Sequence, residues 1–289
     1  MDRYNGIFTA LLTPFDENNK VNEKALEKLV AFNLEKGVKG FYVSGSTGEA
    51  FLLSKDERKQ ILDVVKSAAP EATLLAHVGS VNEAEAIELA QHASKLGYDA
   101  VSAVAPFYYK FSFAEIRDYY FRIADAAQLP MFVYHIPAFS GVQMGIAEMG
   151  QFLKDSRFAG IKYTSNDFFT MEQCKTNFPD KTVFNGYDEM FLAGLSMGAD
   201  GAIGSTYNFM ADKFVEIKRL FEANDLPAAQ KIQKEANRII AILCKVGVMQ
   251  AEKEILNQLG LDIGICRHPF GELTAEQKQL LAKEVLPFL

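Results

Sequence analysis

The chain predicts an α/β protein, a (β/α)8 TIM barrel with a C-terminal helical extension. Short apolar runs alternate with helical stretches at roughly 20–35-residue intervals, the pattern of repeated strand–helix units and a parallel sheet. Eight such runs occur, each followed by a helix. A chain of 289 residues also suits one barrel of this kind, a size such barrels commonly reach as a single domain.

The expected strands are residues 7–12, 40–43, 73–78, 100–104, 131–135, 159–163, 182–185 and 201–203. Asn22 opens the first helix. Ser54, Asn82 and Ser112 each precede a glutamate by three positions, the arrangement in which a cap and a carboxylate satisfy each other's backbone N–H groups. Gly37, Gly97 and Gly198 fall where glycines stop helices. Nothing in composition divides residues 1–225, which are expected to form the barrel and carry the active site. Helical periodicity returns over 227–244 and 248–259, and Thr274 with Gln277 opens a last helix. Residues 226–289 are therefore expected to be an extension packed on the barrel, with scaffolding as its simplest role.

An apolar content of 49% suits a packed core, and a net charge of −7 argues against a nucleic-acid or anionic-membrane footprint. No run approaches a membrane span, and the N-terminus has no secretory apolar region. Cys174, Cys244 and Cys266 are odd in number and widely spaced, as expected of reduced thiols in a cytoplasmic protein. The four histidines have no metal-binding spacing, and His77 and His135 are expected to be packed and hydrogen-bonded. No glycine-rich dinucleotide motif follows a strand, so neither a metal nor a cofactor is expected.

Chemistry is expected at the C-terminal strand ends, where barrels of this type place it. The sixth strand ends in Lys162 and Thr164. An ammonium inside an apolar strand is costly, and the neutral amine that relieves the cost attacks carbonyl carbon. The second strand ends in Ser44-Gly45-Ser46-Thr47-Gly48-Glu49, a turn whose N–H groups and hydroxyls suit a carboxylate. Tyr134 near the end of strand five can shuttle a proton. Asn185-Gly186-Tyr187-Asp188-Glu189 and Gly204-Ser205-Thr206-Tyr207 follow strands seven and eight, so the unusual polar groups converge on one rim. Asp188 and Glu189 can accept hydrogen bonds from sugar hydroxyls or simply favour a helix start. The aromatic stretch 106–113 suits a lid or a subunit contact.

These motifs together resemble the dihydrodipicolinate synthase/N-acetylneuraminate lyase family of pyruvate-dependent class I aldolases. The likeness rests on Gly45-Ser46-Thr47-Gly48-Glu49, Tyr134 with Pro137, Gly160-x-Lys162-x-Thr164 and Gly201-x-x-Gly204-Ser205, in order from about Gly6 to Phe270. The lyase branch is the nearer, through strings such as Pro106-Phe107-Tyr108-Tyr109 and Gly186-Tyr187-Asp188-Glu189. Phe139 stands where the synthase branch has an arginine, and it cannot pair with a second carboxylate.

The resemblance implies reversible cleavage of N-acetylneuraminate to pyruvate and N-acetylmannosamine through a Schiff base on Lys162, without a cofactor. It gives Tyr134 the C4 hydroxyl proton and gives Ser46 and Thr47 the substrate carboxylate. Thr164 would sit beside the reacting carbons, with Gly186, Asp188, Glu189 and Ser205 on the sugar tail. Tyr109 would be inserted by a neighbouring subunit, implying a homotetramer. His135, Ala105 and Met249 depart from the lyase pattern, and Met249 bears on substrate breadth. Two rival readings are an aldolase for another 2-oxo-3-deoxy sugar acid and a non-catalytic sugar-acid-binding barrel.

Overall fold

In a computed structural model describing residues 3–289, the chain alternates strands with helices around a closed parallel barrel. The strands are β1 (Gly6–Ala10), β2 (Gly40–Val43), β3 (Thr73–His77), β4 (Ala100–Val104), β5 (Met131–His135), β6 (Phe158–Tyr163), β7 (Thr182–Asn185) and β8 (Gly201–Gly204). Neighbours in sequence are neighbours in the barrel, and β1 closes it by pairing with β8. All eight expected strands are present, differing only by a residue or two at some ends.

The connecting helices are α1 (Glu23–Glu35), α2 (Lys55–Ala68), α3 (Glu83–Leu96), α4 (Phe113–Ala127), the short α5 (Pro137–Ser140), α6 (Ile146–Leu153), α7 (Phe168–Asn177), α8 (Phe191–Ser196) and α9 (Tyr207–Glu222). Ser54 and Ser112 form the expected reciprocal caps. Asn82 does not. Its side chain accepts from Ala84 N, and Glu85 instead takes the hydroxyl of Ser80, five residues before it, at 2.8 Å, so the expected Asn82–Glu85 cap does not form.

The strands are buried on both faces, as a parallel barrel requires. Outward residues such as Val43, Val101 and Ile161 pack under the helices. Inward residues form a second cluster, in which Phe8, Phe132 and Phe184 stack with centroids 5.1 and 5.4 Å apart. These rings plug the barrel, so a ligand can enter only from the opposite end.

Beyond the barrel run α10 (Leu226–Val246), α11 (Val248–Gln258) and α12 (Ala275–Glu284), the last opened by the expected Thr274–Gln277 cap. They share one apolar cluster with the barrel helices. Among the described residues no helix is long and apolar enough to cross a membrane.

Candidate active site

Strand register puts the two central groups side by side. Tyr134 pairs with Lys162 across β5 and β6, and both side chains point into the barrel just above the aromatic plug. Lys162 is only 5% exposed. Its Nζ lies 4.1 Å from the Tyr134 ring centroid and 4.4 Å from that of Tyr42. Burial lowers its pKa to about 7, with Asp188 opposing the fall. The neutral, nucleophilic amine is therefore accessible near neutral pH.

Tyr134 is also buried. Desolvation pushes its phenol up to about 12, against partial opposition from the Ser46 and Thr164 hydroxyls. It rests as a neutral phenol, able to relay a proton rather than act as a standing base. Thr164 Oγ1 is buried and completes no hydrogen bond among the described residues. It lies hard against Gly186, where an added Cβ would sit 1.8 Å from that oxygen, so only glycine lets β6 and the β7 loop approach this closely. The Gly186 N–H is committed to Tyr163 O, leaving its carbonyl for a ligand.

Ser46 and Thr47 line the cavity on a turn built from below. Ser44, at φ 59°, gives its carbonyl to His77 Nδ1 at 3.0 Å. The buried Arg58 guanidinium reaches Ser44 Oγ, Gly79 O and His77 O. Val104 N donates to His77 Nε2, so the ring uses both nitrogens and is neutral. Burial and Arg58 hold its pKa well below the usual histidine value. His135 matches only half of its expectation. It packs on Tyr163 with centroids 5.1 Å apart, yet neither ring nitrogen has a hydrogen-bond partner among the described residues, and burial lowers it to about 4.

Asp188 is buried at the cavity wall. Its Oδ2 accepts from Thr206 N at 2.9 Å and Thr206 Oγ1 at 2.7 Å, while Oδ1 has no partner among the described residues. Burial raises it to about 6. Glu189 also lines the cavity, and the backbone of this loop is tied to α10 through Gln233 to Asp188 O and Asn237 to Glu189 O. Ser205 lines the cavity too, with its hydroxyl oxygen 2.6 Å from Glu252 Oε1.

The cavity holds about 790 Å³ and brings together every expected site residue except Tyr109. Tyr109 is 63% exposed on the loop after β4, outside the cavity of its own chain.

The extension does more than scaffold. Ile240, Cys244, Met249, Gln250 and Phe270 wall the cavity mouth. Lys253 on α11 forms a buried 2.6 Å ion pair with Glu49, the last residue of the Ser46–Thr47 turn. Arg267 N donates to the other Glu49 oxygen at 2.8 Å, and its guanidinium holds Glu57. Glu49 belongs to the expected turn, but its partner Lys253 and the carboxyl of Glu252 lie beyond the strand ends and are not marked there. One signal was available, since Glu252 shares an i, i+3, i+4 stripe with Ile255 and Leu256.

A barrel with one open, polar-rimmed end and a desolvated amine at the end of β6 defines a protein equipped for carbonyl chemistry. The chain belongs to the Dihydrodipicolinate synthetase family, whose profile matches residues 3–286. It is 44% identical over 290 residues to the N-acetylneuraminate lyase of Enterobacter sp. (strain 638), covering 96% of this chain and 98% of that one. Its structure matches that of CdNal from Clostridium difficile in complex with mannosamine, with a TM-score of 0.97, 39% identity and full coverage of both chains. The N-acetylneuraminate lyase of Fusobacterium nucleatum matches with a TM-score of 0.95 at 39% identity, again over both full chains. The resemblance read from the motifs, lyase branch included, agrees with these matches.

Proposed function

We propose that this chain is a class I aldolase that reversibly cleaves N-acetylneuraminate to pyruvate and N-acetylmannosamine. The observation that carries the reading is Lys162, a buried amine with its pKa lowered to about 7, beside the Tyr134 phenol in a cavity of about 790 Å³. The similarity to N-acetylneuraminate lyases over nearly the whole chain supports the substrate.

Lys162 attacks the C2 ketone of the open-chain sugar, and loss of water gives a protonated imine. The C3–C4 bond then breaks. Its electron pair moves into the imine to form an enamine, while the C4 hydroxyl loses its proton and C4 leaves as the aldehyde of N-acetylmannosamine. Tyr134 relays that proton, with the substrate carboxylate assisting, because a phenol near 12 is too weak an acid to stand ionised. Protonation of the enamine at C3 and hydrolysis by water release pyruvate and restore the lysine.

Ser46 and Thr47 hold the carboxylate, Thr164 flanks the reacting carbons, and Asp188, Glu189, Ser205 and the Gly186 carbonyl bind the tail. Asp188 and Glu189 on the cavity wall favour a long substrate over a shorter 2-oxo-3-deoxy acid whose tail would not reach them. The reaction draws on the lysine itself rather than on a cofactor. Tyr109, with the exposed Tyr108 and Phe111, suits insertion into a neighbouring subunit, and so a homotetramer. The reduced thiols suit a cytoplasmic protein.

The test is borohydride trapping with pyruvate, followed by intact mass, on wild type and Lys162→Ala. A pyruvate-sized increase on wild type alone supports the imine, and cleavage of N-acetylneuraminate supports the substrate. An unlabelled wild type would sink the mechanism and leave the binding-barrel reading.

A further inference from the structure

Ser205 is backed by a carboxyl group that the reaction itself does not use. Glu252, on the buried face of α11, has no exposed surface. Its Oε1 accepts the Ser205 hydroxyl at 2.6 Å, and its Oε2 is buried without a hydrogen-bond partner among the described residues. An ionised carboxylate held that way would be poorly compensated, and a neutral acid lowers the cost to that of one unpaired polar oxygen. Burial pushes Glu252 up to about 8, with the Ser205 bond opposing the rise and Asp188 adding to it.

We propose that Glu252 is a positioning residue that acts through Ser205, holding the serine as a hydrogen-bond donor toward the polyhydroxy tail of the substrate. This rests on the sugar-acid reading above. As a neutral acid, Glu252 can donate to Ser205 Oγ along the 2.6 Å contact, which frees the serine proton for an acceptor in the cavity. As a carboxylate it must accept, and Ser205 then offers the ligand only lone pairs. One serine is thus a donor in one protonation state and an acceptor in the other.

The other ionisable groups bearing on Glu252 come from three directions. Asp188 approaches from the loop after β7. Cys266 lies on the segment after α11, its thiol pushed up mainly by burial and also by Glu49 and Glu252. Lys253, the next residue along the helix, is spent on Glu49.

The test is the pH profile of KM and kcat for N-acetylneuraminate cleavage by wild type, Glu252→Gln and Ser205→Ala, with thermal melts to check folding. The wild-type KM should rise up to about tenfold between about pH 7 and about pH 9 as the neutral fraction of Glu252 falls, with kcat changing less. The amide of Glu252→Gln donates at every pH and should flatten that rise. Ser205→Ala should flatten it at a higher KM. A Glu252→Gln profile that follows wild type, or a loss confined to kcat, overturns the proposal. If that variant does not fold, a wild-type slope in Ser205→Ala overturns it equally. A wild type that traps pyruvate yet cleaves no N-acetylneuraminate defeats the substrate reading and this inference with it.

Discussion

Replacing the central lysine should make the protein more stable as well as inactive, and the gain should depend on pH in a defined way. Folded, Lys162 titrates near 7; an unperturbed lysine titrates at 10.5. Between those values the unfolded chain binds about one more proton than the folded one, so this residue makes stability rise with pH by about 1.4 kcal/mol per unit. The sign is opposite to that of a lysine in an ion pair. The penalty is absent above about pH 10.5, grows as pH falls, and levels off below about pH 7. At pH 7 it amounts to about 4 kcal/mol, an order-of-magnitude figure for forcing an ammonium to choose between desolvation and deprotonation. Lys162→Met removes the titration and keeps a similar side-chain volume. Denaturant unfolding of both proteins from about pH 7 to about pH 9.5 gives the difference in stability, in which titrating groups that do not face Lys162 cancel. The variant's advantage should shrink by about 3 kcal/mol across that range. An advantage that stays constant with pH would refute the claim that burial neutralises this lysine.

Other perturbations test the surroundings. Tyr134→Phe keeps the ring against Lys162 but removes the proton relay, so kcat for cleavage should fall by about 10²–10⁴-fold while pyruvate trapping is slowed far less. Lys253→Met leaves the buried Glu49 carboxylate without its counter-charge, held only by the Arg267 N–H, costing about 3–5 kcal/mol in a denaturant melt, and adding Glu49→Gln should recover most of the loss. Gly204→Ala would put a Cβ 1.9 Å from Asp188 Oδ1, displacing the carboxylate. Its KM for N-acetylneuraminate should rise at least about tenfold, or about 1.4 kcal/mol, and an unchanged KM would remove Asp188 from the tail site.

The barrel was legible because each strand is a short apolar run closed by turn formers, and because caps such as Ser54 and Ser112 act over three residues of the same chain. The rim was legible for a related reason. Once strands are placed, their C-terminal ends all face one way, so Lys162, Tyr134, Ser46 and Asp188 converge without any knowledge of packing. Asn82 shows where local reading fails, since the Ser80 hydroxyl, two residues further back, takes the Glu85 carboxylate. Glu49–Lys253 and Ser205–Glu252 lie beyond local reading. Each joins a strand-end turn to α11, and the pairing depends on how α10 and α11 settle over the barrel mouth. Tyr109 depends on surfaces that a single chain does not contain.

The bond between Lys253 and Glu49 also has a meaning in time. Lys162 and the turn proposed to grip the carboxylate are synthesised well before α11, the helix whose lysine pairs with that turn's buried glutamate. A chain stopped after β8 would own all eight strands and the amine, yet lack the mouth wall and the counter-charge that lets Glu49 stay inside. An incomplete product would therefore carry the chemistry's central group without a finished pocket around it. The helices after the barrel thus supply the part of the pocket that the eight strands lack.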